Sequence, residues 1–98
     1  MRIGIFWYRS ADDYNKLLSI FTDSQKLPGT YEDWLAQAEE AECNLRRHGD
    51  IPVRAYCEPW DFVPWCYSHD TYVNAKGREA YIDWFLAGGR AGEIERDR

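Results

Sequence analysis

The stretch Leu27-Pro28-Gly29-Thr30-Tyr31-Glu32-Asp33-Trp34-Leu35 fixes where a long helix begins, and that boundary constrains the chain more than any other feature. Thr30 can accept from the backbone N–H of Asp33 while the Asp33 carboxylate reaches back, a shortened capping box that starts the helix at Tyr31. Trp34, Ala38, Ala41 and Leu45 follow at spacings of four, three and four, with Leu35 beside them, and form one apolar stripe. Glu32 and Asp33 at the start and Arg46, Arg47 and His48 at the end suit the helix dipole, and Gly49 stands where the chain must leave the helix.

The other elements arrange themselves around this helix. Arg2 to Tyr8 alternates Ile3, Ile5 and Trp7 against Gly4, Phe6 and Tyr8, the pattern of a strand covered on both faces. Ser10 lies three residues before Asp13, and Tyr14, Leu17, Leu18 and Phe21 recur at helical spacing, which predicts a helix over roughly residues 11 to 22. Ile51 to Glu58 alternates again, with Ile51, Val53, Ala55 and Cys57 on one face and Arg54 and Tyr56 on the other; Pro52 belongs at its beginning or on an edge. Pro59 to Tyr67 reads as a short helix in which Pro59 suits a first turn and Pro64 forces a kink or a restart. Asn74 can cap a last helix carrying Ala80, Tyr81, Trp84 and Phe85, ended by Gly88-Gly89, with Gly77 weakening its first turns.

The order is therefore β-α-α-β-α-α. The fold class is α+β, a small two-stranded sheet packed by about four helices in one domain over residues 1–87, with 88–98 a frayed tail. Strand direction stays open. Two strands alone are marginal in water, so either the helices cover them tightly or a second subunit extends the sheet into a homodimer.

Charge and cysteine usage narrow the function. A net charge of −5 argues against nucleic acid as a direct partner. No apolar run approaches the roughly 18 residues that cross a bilayer, and nothing resembles a signal peptide, so a cytoplasmic protein is expected. Cys43, Cys57 and Cys66 are odd in number and lack CxxC spacing; reduced thiols are expected, with Cys43 and Cys57 as small buried hydrophobes. A zinc site would need Cys57, Cys66, His69 and one of Cys43 or His48, without the two close ligand pairs such sites use. No cofactor is implied.

Two functional readings lead, ahead of a third, a small-ligand pocket between the helices and the strand face. The first is a non-catalytic protein-binding module using the acidic face Glu39, Glu40 and Glu42 together with Trp60 and Tyr67, an aromatic pair that points away from the core if Phe62 and Trp65 share its inner side. The second is a thiol-dependent enzyme or metal-binding protein built on Cys66 and His69, which stand at i and i+3. The paired acids Asp12-Asp13, Glu32-Asp33 and Glu39-Glu40 do not converge on one point of a helix face and suit neither acid/base work nor a metal.

The set Leu27-Pro28-x-Thr30-Tyr31-x-x-Trp34-x-x-x-Ala38-Glu39, then Pro59-x-x-Phe62-x-x-Trp65-Cys66, then Asn74-x-x-x-Arg78, resembles a group of short bacterial proteins of unknown function. Pro64 departs from that pattern. The resemblance implies a packing role for Trp65-Cys66 and carries over no functional residue. Small acidic proteins of this kind are common among accessory genes of plasmids and phages, where they bind and block larger host machines. By analogy an inhibitor, for instance an anti-CRISPR protein, is expected.

Overall fold

A parallel pairing of two six-residue strands lies at the centre of the structure, a computed structural model that describes residues 1–89. Strand β1 (Arg2–Trp7) runs beside β2 (Ile51–Tyr56) with Arg2 opposite Ile51 and Trp7 opposite Tyr56. Parallel strands need a long crossover. Helices α1 (Ala11–Leu18) and α2 (Tyr31–Arg47) supply it, with a single 3-10 turn at Ser24–Lys26 between them. Helices α3 (Phe62–Ser68) and α4 (Ala75–Leu86) complete the expected β-α-α-β-α-α order, a mixed α+β fold. The tail expected to fray lies, from residue 90 onward, outside the described residues. Among the described residues no helix is long and apolar enough to cross a membrane.

Both faces of β1 are covered by rings. Phe6 meets Tyr8, Phe21, Phe62 and Tyr81 at centroid distances of 5.5, 6.1, 5.4 and 5.5 Å. Trp7, on the opposite face, meets Trp34 of α2 edge-on at 4.9 Å. Each such pair adds about 0.5–1.5 kcal/mol beyond the area it buries. Tyrosine hydroxyls then tie elements together: Tyr14 donates to the Pro28 carbonyl, Tyr31 to Tyr8 (3.2 Å) and Tyr81 to Tyr56 (2.5 Å).

Local capping matches the sequence closely. The Asp33 amide donates to the Thr30 hydroxyl and the Asp13 amide to the Ser10 hydroxyl, both at 3.1 Å, and the Asn74 side chain accepts from Lys76 at 2.9 Å. At the end of α2 the Gly49 amide donates to Arg46 and the Asp50 amide to Leu45, with Gly49 at φ +82°, a Schellman closure. Gly88, at φ +112°, ends α4 in the same way.

Four expectations change. Helix α1 stops at Leu18 rather than near 22, because the Ile20 and Phe21 amides both turn back to Leu17 and the Thr22 amide leaves to bond Val73 at 2.9 Å. The buried stripe of α2 is Trp34, Ala38 and Glu42, while Ala41 faces solvent. Pro64 neither kinks nor restarts α3: the helix begins at Phe62, so Pro64 falls in the first turn, where amides have no helical partner. Gly77 is a packing requirement, since a Cβ there would lie 1.9 Å from the Tyr72 carbonyl oxygen. Pro52 does sit on an edge. The Ile51 amide donates to Met1, so alternation turns the position of the missing Pro52 N–H away from β1.

Gly77→Ala is expected to lower stability by about 1–3 kcal/mol through overpacking, although alanine is the better helix former by about 1 kcal/mol. Gly29→Ala, whose added Cβ meets nothing within 4 Å, should be nearly neutral. Urea denaturation of the two variants checks the contrast.

Candidate functional site

The exposed aromatic side chains are set by how their backbones are held. Within α3, Phe62, Trp65 and Cys66 are buried against the core, which turns Tyr67 outward at 80% exposure. The chain then reverses. Asp70 adopts a left-handed φ of 58°, a conformation that Asp tolerates better than most residues, and the Thr71 amide returns to the Cys66 carbonyl at 3.0 Å. This brings Tyr72 back beside Tyr67. The Tyr72 carbonyl is pinned under Gly77 and accepts from the Cys66 thiol at 3.5 Å, so its backbone is fixed while its ring stays 66% exposed.

A cleft of about 170 Å³ is lined by Cys66, Tyr67, Thr71, Tyr72 and Val73. Trp60 is 61% exposed on the turn before α3 and does not line it. The expectation that Trp60 and Tyr67 face away from the core thus matches their placement. Periodicity in the sequence does not mark Tyr72; its one signal is an aromatic residue two positions after Asp70, in a segment too short for another helix.

The acidic face divides. Glu39 and Glu40 are exposed on α2, as expected of a solvated face. Glu42 is not: it is 4% exposed and faces β2, where Arg54 donates to both carboxylate oxygens at 2.8 and 2.9 Å. The same guanidinium lies 3.9 Å from the centre of the Trp7 ring. A carboxylate so enclosed is held below its usual pKa by the Arg54 hydrogen bonds, and Arg54 is raised in turn. Asp23 makes a second such pair, accepting from Arg78 at 3.0 and 2.9 Å and from the Ala75 amide at 3.1 Å; Arg78 keeps its carboxyl below the ordinary range. Neither pair was legible in sequence.

Cys66 and His69 are not brought together. His69 follows α3 as its cap, and its ring stacks on Trp65 at 4.1 Å with Nδ1 3.0 Å from the Trp65 carbonyl. The Cys66 thiol points instead to Tyr72, and burial pushes it up to about 11. Cys57 is buried as expected, and burial pushes its thiol up to about 12; Cys43, expected to be buried, is exposed because α2 turns its position to solvent. Among the described residues no group of three or more His, Cys, Asp or Glu converges as metal ligands would. A second cleft, of about 320 Å³, opens between β1 and α4. Comparison with family models, curated proteins and solved structures gives no match for the chain.

Alkylation should separate the thiols, with Cys43 modified in the native protein and Cys57 and Cys66 modified only on unfolding, as read by mass spectrometry after timed iodoacetamide exposure. The carboxylates predict an acid limb of stability. Both Asp23 and Glu42 have lowered folded-state pKa values, so each stabilises fully above its unfolded value, and that contribution is lost as pH falls through the folded value, below about pH 4. Asp23→Asn is expected to cost about 3 kcal/mol at pH 7, since it orphans a nearly buried Arg78. Glu42→Gln should cost less, about 2 kcal/mol, because Arg54 remains partly solvated. Both variants should flatten the loss of melting temperature between pH 6 and 3, a range set by carboxylate titration at about pH 4.

Proposed function

We propose that this chain is a non-catalytic protein-binding module that docks a partner on the aromatic surface formed by Tyr67 and Tyr72, with Trp60 as a neighbouring anchor on the same segment. The observation that carries this reading is the pair of rigidly based, solvent-exposed tyrosines lining a cleft. Tyrosine and tryptophan supply large contact area at low entropic cost and dominate interface hot spots. The enclosed, hydrogen-bonded Cys66 thiol beneath the cleft supports a binding role over a nucleophilic one.

The more specific form is an inhibitor or regulator of a larger bacterial complex, in which Glu39 and Glu40 present an acidic surface to a basic channel, as an anti-CRISPR protein would. Glu42, turned inward to Arg54, takes no part in that surface.

A photo-crosslinking amino acid at position 67 or 72, expressed in a bacterial host, should capture one discrete protein, and the same label at exposed Lys26 should not. With the captured protein purified, Tyr67→Ala and Tyr72→Ala are each expected to weaken binding by roughly thirtyfold, the size of a hot-spot loss. Unchanged affinity in both variants sinks the assignment. Reversing Glu39 and Glu40 to lysine without loss of inhibition in a CRISPR interference assay would remove the channel-blocking form alone.

A further inference from the structure

Strand β1 carries a row of backbone groups that the sheet does not use. The Ile51 amide donates to the Met1 carbonyl, so alternation directs the odd positions of β1 toward β2 and turns the N–H and C=O of Arg2, Gly4 and Phe6 to the free edge. Among the described residues no backbone group outside the β1–β2 ladder meets them. The opposite edge is blunted: Pro52 has no donor there, and the Tyr56 carbonyl is taken by the Tyr81 hydroxyl.

The side chains beside this edge are also left half covered. Helix α2 packs on β2, and Ile3, Gly4 and Ile5 remain partly exposed. The 320 Å³ cleft opens alongside, with Arg2 and Gly4 on one wall and Glu79, Ile82, Asp83 and Leu86 of α4 on the other.

We propose that this edge is the contact between two copies of the chain, β1 pairing antiparallel with β1 of a second copy about a two-fold axis through Gly4. That register is self-complementary. It places Gly4 opposite Gly4 and Arg2 opposite Phe6 of the second copy, so each facing pair exchanges two hydrogen bonds and every outward group is satisfied. On the α2 face, Ile3 meets Ile5 of the second copy and the reverse, covering the apolar pairs that α2 leaves open. On the α4 face, α4 runs against β1, with the Leu86 carbonyl 3.4 Å from Arg2 and Tyr81 beside Phe6. Glu79 therefore stands near the level of Phe6, where Arg2 of the second copy arrives. The symmetry makes this ion pair twice, and the glycines put no side chain on the axis between the two α4 helices. A marginal two-stranded sheet becomes a continuous four-stranded one.

Sedimentation velocity of the full chain over a concentration series should show a monomer–dimer equilibrium. Arg2→Glu and Glu79→Arg should each weaken it by roughly tenfold or more, and the two together should restore it, since both ion pairs are then reversed. Amide exchange at Gly4 and Phe6, followed by NMR, should slow as the dimer forms, which reads the contact without any substitution. A monomer at every concentration overturns the proposal. So does a dimer that ignores both charge changes, or one lost on Tyr67→Ala and Tyr72→Ala, or an edge found to pair with another protein instead. The two clefts share no lining residue, so failure here leaves partner binding at Tyr67 and Tyr72 standing, and the reverse.

Discussion

Parallel pairing of two short strands, the only strands among the described residues, is the constraint from which the rest of the fold follows. Such a sheet has two faces to cover and too few strands to hold itself together, so stability has to come from what lies on it. Phe6 and Trp7, adjacent in sequence, point to opposite faces, and each is met by rings from helices on its own side. Arg54 serves where no ring is available: its guanidinium lies against Trp7 while Glu42 neutralises it from α2. An apolar residue at position 42 would remove the carboxylate that accepts both hydrogen bonds from this partly solvated guanidinium.

What was legible in the sequence was chemistry acting over three or four residues. Ser10 with Asp13, Thr30 with Asp33, Asn74 at α4 and the glycines at 49 and 88 each specify a boundary locally, and each boundary lies where its residues place it. Several of the failures involve a partner outside that range. Glu42 looked solvated beside Glu39 and Glu40 because its reason for turning inward is on β2. Gly77 looked like a helix weakness because the carbonyl it must admit belongs to Tyr72, in a loop with no periodicity. The Cys66 and His69 spacing misled for a different reason: i, i+3 neighbours meet only inside a helix, and His69 is already past its end. Of the exposed aromatic surface, Tyr67 could be read from the spacing of Phe62 and Trp65 in α3 and Trp60 from the same segment just before it, whereas Tyr72 depends on the reversal at Asp70.

The acidic composition also reads differently once Asp23 and Glu42 are placed. Two carboxylates that contribute to the net charge work as internal fasteners. Asp23 holds the segment between α1 and α2 to the first turn of α4, both through the Ala75 amide and through Arg78, whose guanidinium in turn lies 4.5 Å from the Phe21 ring centre. The crossover is thereby attached to the last helix as well as to the sheet.

The register of Arg2 with Ile51 also bears on the order in which the chain can assemble. No hairpin is available to nucleate the sheet, and loop closure has to precede any reward from strand pairing. During synthesis β1 emerges first and remains without its neighbour until the crossover and β2 have followed. Helix α2, with strong caps at both ends, can form locally in that interval. Folding on this topology is therefore expected to be slower than in a helical bundle of equal length, with the aromatic run Phe6-Trp7-Tyr8 uncovered while it waits.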